Sequence, residues 1–147
     1  EWESCDILKT LELYESQFAK YTKKPGEDLN SILTGISQPK GRVHIEICEP
    51  ISRMELMKLE QLTSNEYHKA VARLLDERIN KAYRLYPNNY IAYDLRYGTR
   101  KYQDFYTPKQ KEEFLAHVRE LEHYDTCDIE MLKDIYLGIY ANPVNNK

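Results

Sequence analysis

His123 and Asp128, in the run HYDTCD, are the residues whose types and spacing first suggest chemistry. In a His-x4-Asp pair the carboxylate can orient an imidazole that takes a proton from a hydroxyl. Here the pair straddles the expected end of one helix and the start of the next. Asp125, Thr126 and Asp128 have an ordinary role at such a place, as capping and first-turn residues. Tyr97-Gly98-Thr99-Arg100 offers a glycine turn and a cation for a phosphate. It lacks the preceding strand and following helix of a phosphate-cradling loop, so it reads as a helix C-cap and a solvated arginine. His44 has no second metal ligand in register. There is no Gly-x-Ser-x-Gly elbow, P-loop or dinucleotide fingerprint. The residues assemble no nucleophile, base and oxyanion stabiliser, and no catalytic, cofactor-binding or metal-binding residue is assigned.

The tyrosines form a second constellation. There are 13, and Tyr83, Tyr86, Tyr90, Tyr93 and Tyr97 step by three and four residues, with Tyr102 and Tyr106 close behind. That spacing suits a packing seam whose hydroxyls reach the surface. It also suits an interface, with another part of the protein or with lipid headgroups, and Arg96, Arg100 and Lys101 keep a phosphate-facing surface open.

The elements that would position these groups are mostly helical. Ser4 to Tyr21 carries Ile7, Leu11, Tyr14, Phe18 and Tyr21 on one face, with Ser4 as N-cap. Pro25 is expected to open a second helix, whose apolar face is Leu29, Ile32, Leu33 and Ile36. Ser52-Arg53-Met54-Glu55 and Thr63-Ser64-Asn65-Glu66 read as capping boxes, the latter opening a long helix to Tyr86. Asn88 to Tyr97 is expected to close on Gly98, and Thr107-Pro108-Lys109-Gln110 to open the next helix. A last helix carries Ile129, Leu132, Tyr136 and Ile139, with Pro143 placed after its end.

Against six or seven helices stands one strand. In Lys40–Ile51, Val43, Ile45 and Ile47 alternate with Arg42, His44, Glu46 and Cys48, the two-residue period of a half-buried strand over about 42–49. A lone strand leaves its backbone groups unpaired. The fold expected is therefore the mostly α part of an α/β protein, its strand belonging to an upstream sheet. In the structure that strand should be a naked edge, paired with a second copy, or beside Glu1–Glu3.

At 147 residues and net charge −3 the chain is long enough for a core and has no basic field for nucleic acid. No apolar run reaches the length of a membrane span, which leaves peripheral contact. Cys5, Cys48 and Cys127 are odd in number and widely spaced, which favours free thiols in a reducing cytoplasm.

Several segments resemble the C-terminal part of bacterial glycerolipid acyltransferases, the group related to 1-acyl-glycerol-3-phosphate acyltransferases, and especially a branch common in Bacteroidetes. They are CDILKTLELY (5–14), KKPGEDLNSILTGI (23–36), KGRVHIEICEPI (40–51), YPNNYIAYDL (86–95) and IYANPVNNK (139–147). The resemblance implies a parent that transfers an acyl chain from acyl-CoA or acyl-carrier protein to a glycerol-phosphate-type hydroxyl. It also implies that the family's His-x4-Asp dyad and Glu-Gly-Thr-Arg-type motif lie upstream, with Glu1-Trp2-Glu3 falling just after a sheet strand. His123/Asp128 and Tyr97–Arg100 stand in the opposite order, so no catalytic role passes to them. Residues 1–51 would then be the end of the acyltransferase α/β domain and 52–147 a helical extension. The chain would be inactive alone, partnered by the upstream catalytic part and placed in the cytoplasm, peripherally on the inner membrane. The other reading is a self-standing helical interaction module that forms a homodimer through its strand edge.

Overall fold

Helix starts follow the capping chemistry written in the sequence. The computed structural model describes Glu1 to Asn146, and among these residues the chain forms seven α-helices and no β-strand. They are α1 (Asp6–Glu15), α2 (Glu27–Ser37), α3 (Arg53–Met57), α4 (Ser64–Ala82), α5 (Pro87–Tyr97), α6 (Pro108–Arg119) and α7 (Ile129–Asn145), with 3-10 turns at Gln103–Phe105 and Glu120–His123. Lys147, the last residue of the matching segment 139–147, lies outside the described residues. Ser52 and Glu55 close a capping box on α3, and Thr107 and Gln110 do so on α6. At α4 the Glu66 carboxylate accepts from both the Thr63 amide and its hydroxyl.

Four expected boundaries move, the first being the start of α1, where Cys5 and not Ser4 stands at the N-cap, with no side-chain cap bond. α1 stops at Glu15, where the Ser16 hydroxyl and the Gln17 side-chain amide donate to the carbonyls of Glu12 and Leu13, competing with further helix. α2 opens at Glu27 behind Gly26, so Pro25 precedes the cap and is not the first helical residue. α4 ends at Ala82, where Tyr83 leaves helical backbone (ψ 128°), and Pro87 holds Tyr86 extended (ψ 165°), where it caps α5. Pro143 departs further from expectation and lies inside α7. It cannot donate to the Ile139 carbonyl, yet buried Ala141 and Val144 keep the last turn packed. The Asn89 amide donates to the Tyr140 carbonyl (2.9 Å) and Arg96 to Asn142 (3.1 Å). Tertiary contacts outweigh the local preference.

The chain forms two compact units, one of Glu1–Val43 with Leu85–Asn145, the other chiefly His44–Arg84. In the first unit α5 and α7 pack along each other, and α1 and α6 flank them. The core comprises Ile91 and Ala92, Phe114 and Val118, Leu121, and Leu132, Tyr136, Tyr140 and Ala141. Gly138 leaves room on α7 for the Arg96 guanidinium, which grips Asp134 with two bonds (2.9 and 3.0 Å); a Cβ there would meet Nη1 at 2.7 Å.

α2 is turned the other way. Its half-buried side holds Ser31, Thr34 and Gly35, near the Cys5 thiol, which donates to the Ser31 carbonyl (3.4 Å). Leu29, Ile32, Leu33 and Ile36, its whole apolar face, are exposed. In the second unit no residue of His44–Arg84 is buried. Arg78 organises it, donating to the Glu49 carbonyl (2.9 Å) and pairing with Glu55. The Ser52 amide and hydroxyl, followed by Arg78, hold the Glu55 carboxyl down to about 2.

Lys40–Ile51 forms neither helix nor ladder. Val43, Ile45 and Ile47 are 65%, 81% and 94% exposed, because no neighbouring strand supplies partners for the backbone. Its first residues do have company. The Glu1 nitrogen donates to the Arg42 carbonyl (2.8 Å) and the Trp2 amide to the Lys40 carbonyl (3.0 Å). Gly41 sits between them at φ 62°, where a Cβ would meet the Glu1 carboxylate at 2.8 Å.

Two substitutions test the packing. Leu132→Ala empties a fully buried site and should cost about 3 kcal/mol in urea unfolding. Thr10 is fully buried, and among the described residues its hydroxyl has no partner. Thr10→Val keeps the shape and removes the orphan, so stability should rise by about 1 kcal/mol; a fall would mean that an ordered water satisfies the group.

Candidate functional site

The first turn of α1 brings a carboxylate into the core of the first unit. Asp6 is buried, and the hydroxyls of Tyr136 (2.8 Å) and Tyr140 (2.6 Å) both donate to its Oδ2. The two tyrosines stand one turn apart on α7, so both rings approach the same oxygen. The Tyr140 hydroxyl also accepts from the Glu3 amide (3.0 Å). Among the described residues no cation pairs with Asp6; the phenols and the helix N-terminus answer its charge. Burial first, and then the neighbouring phenol and carboxylate, push Tyr136 well above the ordinary phenol value. Burial and Asp6 do the same to Tyr140.

Asp6 also reaches the wall of a cleft of about 340 Å³ within this unit, lined in addition by Trp2, Glu3, Ser4, His117 and Glu120. Trp2 holds the imidazole of His117 at 4.3 Å between ring centres, and Glu120 stands 3.3 Å from its Nδ1. Among the described residues Ser4 makes no hydrogen bond to that imidazole. The cleft therefore gathers acids, an imidazole and a hydroxyl without the nucleophile-to-base contact that acyl transfer on an enzyme hydroxyl requires.

A second buried carboxylate lies under the tyrosine-rich segment. Asp94 of α5 accepts from the Thr99 hydroxyl (2.7 Å), the Tyr102 amide (3.1 Å) and the Tyr106 hydroxyl (2.9 Å). Burial first, then this bond, push Tyr106 up to about 12. Over the knot, Tyr90 packs against Phe105 (4.5 Å) and Tyr102 (5.2 Å) with tilted rings, and Tyr93 against Tyr97 (4.6 Å) and, edge-on, Tyr102 (5.0 Å).

No known protein family, curated protein or solved structure matches this chain. Its residues must therefore be read from their own geometry.

His123 and Asp128 are not brought together. The His123 Nδ1 lies 3.0 Å from the Glu120 carbonyl, while Asp128 Oδ1 accepts from the Met131 amide (3.1 Å) in the first turn of α7. Tyr97–Arg100 is the end of α5, with Gly98 at φ 62° and Thr99 turned back to Asp94. His44 lies 3.6 Å from Glu46. Among the described residues no cluster of ligands could hold a metal ion. Neither Asp6 nor Asp94 was singled out from sequence. Asp6 looks like any first-turn acid, and the one available signal is the Tyr-x3-Tyr spacing of Tyr136 and Tyr140.

Removing one donor from a buried carboxylate is costly, so Tyr136→Phe should lose about 2 kcal/mol in equilibrium unfolding. The folded protein holds the protons of Tyr106, Tyr136 and Tyr140 more tightly than an unfolded chain does. Their contribution is thus complete below the ordinary phenol value of 10 and is lost as pH rises, for Tyr106 between 10 and about 12. Ultraviolet titration should show these phenols ionising above the ordinary phenol value of 10, together with loss of helicity.

Proposed function

We propose that this chain is the C-terminal part of a glycerolipid acyltransferase, where it covers the sheet of the catalytic α/β region and performs no acyl transfer by itself. The observation that carries the proposal is α2, whose polar side packs inward while Leu29, Ile32, Leu33 and Ile36 face outward. A helix of a finished globular protein turns such a stripe toward a core. In α/β folds the surface that takes it is a sheet. The alternating, exposed Val43, Ile45 and Ile47 support the same reading, since Lys40–Ile51 would add to that sheet as a strand. The resembling segments at 23–36 and 40–51 run through these two features. On this reading the donor, acyl-CoA or acyl-carrier protein, and the glycerol-phosphate acceptor meet in the upstream part. The whole protein works on the cytoplasmic face of the inner membrane. Among the described residues no helix is long and apolar enough to cross a membrane.

The test is an assay of CoA release from acyl-CoA and lysophosphatidate. The chain alone should show none above background, and adding the residues encoded in frame upstream, with their His-x4-Asp, should create activity. Robust turnover by this chain, abolished by His123→Ala, would sink the proposal. So would a stable dimer with exchange-protected amides at Val43–Cys48, which marks the interaction module instead.

A further inference from the structure

The corner built by α5 and the 3-10 turn at Gln103–Phe105 has a composition that packing does not explain. Tyr90, Tyr93, Tyr97, Tyr102 and Phe105 touch one another in a continuous run of tilted and edge-on rings, and its outer members stay half in solvent, Tyr97 at 48% and Phe105 at 55%. Cations accompany the rings. Lys101 Nζ lies 4.9 Å from the centre of Tyr102 and 5.6 Å from that of Tyr93, and Arg100 beside it is exposed. Within the turn that follows α5, Arg100 and Lys101 stand against the single acid Asp104, in a chain whose net charge is −3, while Lys109 of α6 is paired with Glu113 (3.8 Å). The turn thus carries one cation more than it has acids, opposite in sign to the chain as a whole.

We infer that this corner is a docking surface for an anionic lipid bilayer, with Tyr97 and Phe105 entering the headgroup layer while Arg100 and Lys101 meet lipid phosphates. Half-exposed aromatic rings beside cations are favoured at the membrane–water boundary. A protein partner fits less well, because the cation seated over the rings is Lys101, a residue type that protein interfaces tend to exclude. The surface is also preorganised. The buried Asp94 carboxylate ties Thr99, Tyr102 and Tyr106 to α5, so the turn that carries Lys101 and Phe105 is ordered before any membrane is met. The inference draws on this corner alone and stands whether or not the chain belongs to an acyltransferase.

Sedimentation of the full chain with phosphatidylcholine vesicles, with and without phosphatidylglycerol, tests it. Binding should require the anionic lipid and weaken as salt is added. Arg100→Glu/Lys101→Glu, with circular dichroism unchanged, should lower the partition coefficient by about thirtyfold or more. Phe105→Ser should weaken binding while circular dichroism stays unchanged. Failure of the unaltered chain to sediment with anionic vesicles would overturn the inference. So would equal binding by the charge-reversed variant, or binding that Ile32→Glu on α2 abolishes and the charge reversal leaves intact.

Discussion

The carboxylate of Asp6 is taken out of water and given two phenol hydroxyls in place of a cation. Its bonds join residues 130 and 134 positions apart in sequence, α1 to α7, and much of the first unit is arranged around that closure. A buried charge without partners would be intolerable, so the α1 start and the Tyr136–Tyr140 face must meet, or neither is stable where it lies. Once they meet, Tyr140 is fixed as an acceptor for the Glu3 amide, and its carbonyl takes the Asn89 amide. Trp2 then lies against Phe114 at 5.7 Å. Four segments distant in the chain are held at one place by groups that each satisfy the next.

Local chemistry was legible in the sequence where it was self-contained. The boxes of Ser52 and Thr107, the Gly98 stop and the Asp128 cap depend on residues three or four positions apart, so composition and spacing reveal them. The failures share a cause in distant contacts. Pro143 reads as a stop until Asn89 and Arg96 are seen holding the turn that contains it, and Asp6 reads as a cap until α7 is beside it. Of the site, the tyrosine steps on α5 were visible because they repeat with the helix; the carboxylate beneath them was not, since its partners lie in a turn of no regular period.

The two units differ in how far their residues satisfy one another. The first has a closed core, with α2 as its exception; in the second every residue from His44 to Arg84 keeps some access to solvent. An apolar stripe facing water is tolerable on a folded unit when it is modest in area, and several side by side invite association. α2 makes the contrast plain within a single helix: the residues that could have been buried are outside, while serine, threonine and glycine occupy the side that touches the protein. Sequence periodicity correctly gave the helix an apolar face, but periodicity carries no information about which way that face turns.

The Asp94 knot fixes something subtler than shape. Its carboxylate takes donors from residues five, eight and twelve positions downstream, so the turn after α5 is measured against a single point. A residue added or lost between Thr99 and Tyr106 would put at least one donor out of reach and leave a buried acceptor short of partners. Most exposed turns drift in length as proteins diverge. This one is a ruler, and it should keep its count even where its side chains change.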